Sequence, residues 1–197
     1  MKIFKKFLFL FLFLISSTTY TLAKNPSVFI SEITESASTI LKKDISMDEK
    51  ANELIRIAEQ NVDIDGIGLY SLGKHRKSID TNQLEQYKSI FREYFLKSFS
   101  SRLSEYSDPK INVLSEEIIS KKYTIVSSVL VATENRPEVK IDWRVYTKNP
   151  DKPLIRDLII EGLSLARTQK EEFASVIQTN NGDVTKLFAA LNEFIAK

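Results

Sequence analysis

The chain has no cysteine, one histidine and only five glycines in 197 residues. Each shortage closes off a chemistry. Without cysteine there is no thiol nucleophile, no thiolate metal site and no disulfide, so packing alone has to stabilise the fold. A single histidine, His75, excludes multi-histidine metal sites. A serine–histidine–carboxylate triad would have to use it too, and it sits between Lys74 and Arg76 with no evident carboxylate partner. The few glycines build no phosphate-cradling loop: Gly66 and Gly68 match no nucleotide fingerprint and follow no strand. Charge of one sign is also lacking. Lys+Arg 28 against Asp+Glu 26 gives +2, without the basic excess of a nucleic-acid binder.

What is present begins with a leader. Lys2, Lys5 and Lys6 precede an unbroken apolar run from Phe7 to Ile15, and Thr21-Leu22-Ala23 places small residues three and one before an expected cut. Charge, apolar stretch and small-residue site in that order predict a cleavable secretory signal over residues 1–23. The run is too short to span a bilayer, which takes ~20 residues. A lipoprotein anchor would need a cysteine after the leader. Residues 24–197 are expected to form one domain, long enough to bury roughly 70% of its unfolded surface. Loss of the three leader lysines takes the formal charge from +2 to −1.

Residues 27–60 carry helical periodicity broken at Asp44 and Ser46, and Ser46 with Glu49 forms a capping-box signature. Asp63 is placed to cap a short helix that stops at Gly73. Thr81 opens a long helix with Leu84, Tyr87, Phe91, Tyr94, Phe95, Phe99 and Leu103 on one stripe, and Asp108-Pro109 ends it. From Lys110 the period becomes two. Val139, Ile141, Trp143 and Val145 alternate with Lys140, Asp142, Arg144 and Tyr146. Asn149-Pro150-Asp151 is a turn and 154–160 a further strand. Helical spacing returns after Gly162, breaks at Asn180-Asn181-Gly182, and resumes to the C-terminus. The fold class is α+β: a twisted antiparallel sheet of about four strands, with helices before and after it packed on one face. Such a cone can enclose a cavity.

Several residues have a structural and a functional reading. Asp63, Asp65, Asp142, Asp157 and Glu161 could supply an acid/base pair, but each also sits where a cap or a strand-end hydrogen bond is common. Lys74, Arg76 and Lys77 follow a helix C-terminus, where cations gain ~0.3–1 kcal/mol; they could equally contact an anionic headgroup or a partner. Phe91, Phe95 and Phe99, and Val139, Ile141 and Trp143, read as core or as the lining of a cavity.

Taken together, several segments resemble the MlaC family, also called toluene-tolerance auxiliary proteins. They are residues 62–73, Val-Asp-Ile-Asp-Gly-Ile-Gly-Leu-Tyr-Ser-Leu-Gly, with the basic stretch after them; Phe91-Arg92-Glu93-Tyr94; residues 101–106; residues 157–165, Asp-Leu-Ile-Ile-Glu-Gly-Leu-Ser-Leu; and Phe173 with Val176-Ile177. The resemblance runs from about residue 30 to the C-terminus. It implies a cone related to nuclear transport factor 2 and a soluble periplasmic carrier that holds a phospholipid by its acyl chains. Its implied partners are an inner-membrane ABC transporter with an MCE-domain subunit and an outer-membrane lipoprotein–porin complex. Pocket positions carried over are Phe99, Val139 and Leu163, with Phe95, Val129, Ile141 and Trp143 as further lipid-facing candidates. One departure stands out: many members have an aromatic residue after the Leu-Gly turn, where this chain has His75-Arg76. No metal, cofactor, catalytic group or nucleic acid is expected, and the protein is expected to be a monomer. The rival readings are a cone-fold isomerase using Asp157 with Tyr94 or Tyr123 on a small apolar substrate, and a periplasmic chaperone.

Overall fold

A computed structural model describes residues 24–104, 106 and 108–197; the expected leader lies outside them. Three helices come first, α1 (Pro26–Lys42), α2 (Met47–Asn61) and α3 (Ile64–Leu72), then a 3-10 turn (Gly73–Lys77) and the long α4 (Thr81–Ser104). The strands β1 (Ile111–Ser120), β2 (Tyr123–Leu130), β3 (Val139–Tyr146), β4 (Leu154–Ile160) and β5 (Leu163–Ser164) follow, and α5 (Leu165–Thr179) and α6 (Val184–Ala196) close the chain.

Local chemistry sets these boundaries. Ser46 and Glu49 form the expected capping box at the start of α2. Asp63 caps α3 by accepting from Gly66 N–H at 2.9 Å. Gly73 ends it at φ 58, a left-handed geometry that a side chain resists. Asp80 accepts from Gln83 N–H at 2.8 Å while its own N–H reaches Gln83 Oε1 at 3.2 Å. Asp80 and Gln83 thus form a second reciprocal cap, at the head of α4.

The sheet is an antiparallel meander in the order β1-β2-β3-β4-β5. The expected strands are all present, and a two-residue fifth strand is added where Ile159 pairs with Ser164. Its register puts Leu130 opposite Val139, Ser128 opposite Ile141 and Val126 opposite Trp143, so these side chains share the inner face. α1 lies on that face: Phe29 and Ile30 pack with Val126, Leu130, Ile141, Trp143, Val145 and Ile155. Val62, between α2 and α3, bridges to Ile155 and covers the near end of the β4 edge.

Among the described residues the apolar interior falls into three clusters. One is the sheet and α1. A second joins α3, α4, α5 and α6 around Tyr87, Phe91, Phe173, Ile177 and Phe188. A third, small one holds Ile40, Leu41 and Leu54 of α1 and α2.

Candidate functional site

The clusters share no buried residue and are bridged by half-buried side chains. Val62 packs against both the sheet cluster and the α3–α6 cluster. Tyr106 packs against the sheet cluster and the small α1–α2 cluster. Along α4, Phe95 borders the α3–α6 cluster and Phe99 the small one. Their rings stack one turn apart, with centroids at 6.1 Å and planes 10° from parallel. Half-buried apolar side chains therefore form a seam between the three clusters. Opening it would expose few fully buried groups.

The lipid-facing candidates divide along this seam. Phe95, Phe99 and Val139 are half-buried on it, with Val139 at the margin of the sheet cluster. Ile141 and Trp143 share the Val139 face but lie deeper, in the packed interface with α1. Trp143 Nε1–H donates to Ser128 Oγ at 2.8 Å, and that hydroxyl donates to the Ile141 carbonyl at 3.0 Å. The indole is thereby fixed in one orientation. Two candidates are not brought to this surface. Val129 pairs with Lys140 and points to the opposite face, because side chains alternate along a strand. Leu163 is 56% exposed on β5, at the far edge of the sheet. Tyr106 was not singled out for the site. It is the aromatic between α4 and Pro109, and the Arg136 guanidinium lies 5.4 Å from its ring centroid.

Two open grooves, of about 510 and 500 Å³, flank α1. One is lined by Val28, Glu32, Glu35, Val113 and Leu114, the other by Thr39, Ile40 and Ile57 among others. None of the seven apolar candidates lines either.

Four of the five carboxylates considered for acid/base work are engaged elsewhere. Asp157 is buried; it accepts from Ser164 Oγ at 2.7 Å and from Ala166 N–H at 3.0 Å, which pins the start of α5 to β4. Arg144 Nη1 approaches the Oδ2 that Ser164 also bonds, at 3.5 Å. Asp63 pairs with Arg156, whose guanidinium also donates to Tyr123 Oη at 2.7 Å and stacks 3.7 Å from the Tyr146 ring centroid. Burial opposes the Arg156 charge, but the Tyr123 and Asp63 contacts outweigh it and its pKa is raised. Glu161 accepts from Lys140 N–H. Asp142 lies 3.6 Å from Lys140 Nζ. Tyr94 donates to Gln169 Oε1 at 2.9 Å. Its pKa is raised, first by burial and then by Glu172. Asp157 is thus buried and held by its own neighbours, and no hydrogen bond joins it to Tyr94 or Tyr123.

Lys74, Arg76 and Lys77 sit in the 3-10 turn, all exposed, and none takes part in an ion pair among the described residues. Gly73 lets the chain turn there, beside the Lys170 stem.

Two comparisons bear on this arrangement. The model of the MlaC protein family matches residues 31–193. Among solved structures, the chain is similar to the phospholipid-binding protein from Ralstonia solanacearum, determined in complex with a phospholipid. The TM-score is 0.74 at 20% identity, covering 88% of this chain and 98% of that one.

Proposed function

Because this chain belongs to the MlaC family across residues 31–193, we propose that it is a phospholipid carrier rather than an enzyme. The observation that carries the reading is the seam. Three apolar clusters meet only through half-buried side chains, and helices on one side can part from the sheet on the other. Acyl chains enter there, between Phe95 and Phe99 of α4 and Val139 of β3. Ile141 and Trp143 form the floor beneath. The phospholipid in the Ralstonia protein of like fold supports the choice of ligand.

The energetics explain why such a carrier is needed. Two chains of about 16 carbons expose ~30 methylenes, each worth ~0.8 kcal/mol on burial. Transfer through water therefore faces a barrier of order 20 kcal/mol, and each 1.36 kcal/mol is tenfold in rate. An apolar lining removes most of that barrier with no catalytic group.

In this reading residues 1–23 direct export and are removed, and residues 24–197 work as one domain in the periplasm. The carrier passes lipid between an outer-membrane lipoprotein–porin complex and an inner-membrane ABC transporter with an MCE-domain subunit. Lys74, Arg76 and Lys77 help it dock there.

Organic extraction of the purified protein followed by mass spectrometry tests the proposal. A stoichiometric diacyl phospholipid is the expected result. An empty protein that turns over a small apolar ketone would replace it with the isomerase reading.

A further inference from the structure

One end of the sheet brings exposed isoleucines and exposed lysines together. Ile118 is 77% exposed and Ile119 47%, and neither belongs to a buried cluster. β1 shifts register between Ile118 and Ser120, and the turn to β2 runs through Lys121 and Lys122, both exposed. The β3–β4 connection lies at the same end, where Thr147 N–H donates to the Lys122 carbonyl at 2.9 Å. It carries Lys148 and Lys152, also exposed. None of these four lysines forms an ion pair among the described residues.

The four lysines outnumber the acids nearest them in the chain, Glu116, Glu117 and Asp151. Asp151 is the one acid on the two connections. Glu117 lies four residues back from Lys121, at most ~13 Å of backbone at ~3.3 Å per residue. Glu116 keeps its charge and is held by hydrogen bonds from Asn25 and Ser27 at the start of α1.

From this pairing of two exposed isoleucines with four lysines, we infer that the β1–β2 end of the sheet docks the protein on an anionic bilayer surface. The inference rests on the carrier reading, since a lipid carrier has to collect or deliver its cargo at a membrane. Bilayer chemistry fits the patch. The isoleucines enter the headgroup–acyl boundary, and the long lysine stems reach anionic headgroups around them. A protein partner fits less well, because a specific interface takes ~20–30 residues a side and this tip offers six.

Flotation with vesicles tests the docking on protein purified after export. Parent protein is expected to float with vesicles containing roughly a third anionic lipid at low salt, to bind zwitterionic vesicles weakly, and to be released by high salt. Each lysine near an anionic surface is worth about fivefold, so K121Q/K122Q should weaken binding about 30-fold. Ile118→Ser should weaken it about tenfold. Both variants replace exposed side chains and should melt with the parent. No binding of the parent to anionic vesicles, or equal binding by K121Q/K122Q, overturns the inference. So does a tip that captures only a protein partner. Lipid extraction on the same samples separates the two readings: variants that keep the parent's lipid but do not float show docking distinct from cargo binding. A lipid-free parent that still floats ends the carrier reading and leaves the docking surface standing.

Discussion

Gly68 in α3 lies against the Phe91 ring of α4: a Cβ built on it would stand 2.7 Å from Phe91 Cδ1. The Gly68 carbonyl also accepts the Tyr87 hydroxyl at 2.9 Å, so one backbone position holds two aromatic residues of the neighbouring helix. The contact needs glycine because the ring is itself packed, against Phe173 and Tyr87. Gly68→Ala should overpack this cluster and cost about 1–3 kcal/mol. Thermal unfolding checks it; a domain of this size should lose ~2–4 °C per kcal/mol.

Tyr87 is buried, and burial, with a smaller contribution from Tyr94, raises its pKa well above the usual tyrosine value. The folded state therefore keeps the phenol proton at pH values where the unfolded chain loses it. Stability from this group is present below pH ~10 and declines above it, by up to ~1.4 kcal/mol per pH unit. Tyr87→Phe should lose about 1 kcal/mol at neutral pH from the missing hydrogen bond. It should also show a shallower loss between pH 10 and 12 than the parent. Equal alkaline slopes in denaturant titrations would contradict this.

Asp157 joins β4 to the first turn of α5 through Ser164 and Ala166. Asp157→Ala leaves those buried donors without an acceptor, at a cost of ~1–3 kcal/mol for each group stranded. Amide exchange at Ala166 and Arg167 should quicken first, before the rest of α5 responds.

Val139 and Ile141 share a strand face but differ in depth, which makes them a paired test of the cargo site. Val139→Asp, at the half-buried seam, is expected to fold and to lose bound lipid, because a carboxylate among acyl chains is strongly disfavoured. Ile141→Asp buries the same charge against α1 and should yield little soluble protein, with several kcal/mol lost. A folded Val139→Asp protein with its full complement of lipid would remove Val139 from the lining.

Charge reversal at the 3-10 turn probes partner docking. R76E/K77E should weaken capture by an MCE-domain partner at ~0.1 M salt while leaving bound lipid unchanged. Unaltered pull-down would show that these residues only complement the end of α3.

The order of elements was legible in the sequence because each rests on local chemistry. Ser46 with Glu49, Asp63 with Gly73, and the alternation from Val139 to Val145 report on neighbours a few residues away, and hydrogen bonds over that range set the boundaries. The family was legible too, since its segments keep their order and spacing along the chain. Tertiary structure decided which residues meet. Periodicity cannot tell a packed face from a cavity face, because both need the same apolar side chains. Ile141 and Trp143 became the α1 interface only when Phe29 and Ile30 settled on them, and Val139, two residues along, was left at the seam. Strand pairing turned Val129 outward with Lys140. The lysines of two separate turns came together at one end of the sheet because a meander returns its alternate turns to the same side. Those outcomes depend on contacts between residues far apart in the chain, which neither residue's own neighbourhood encodes.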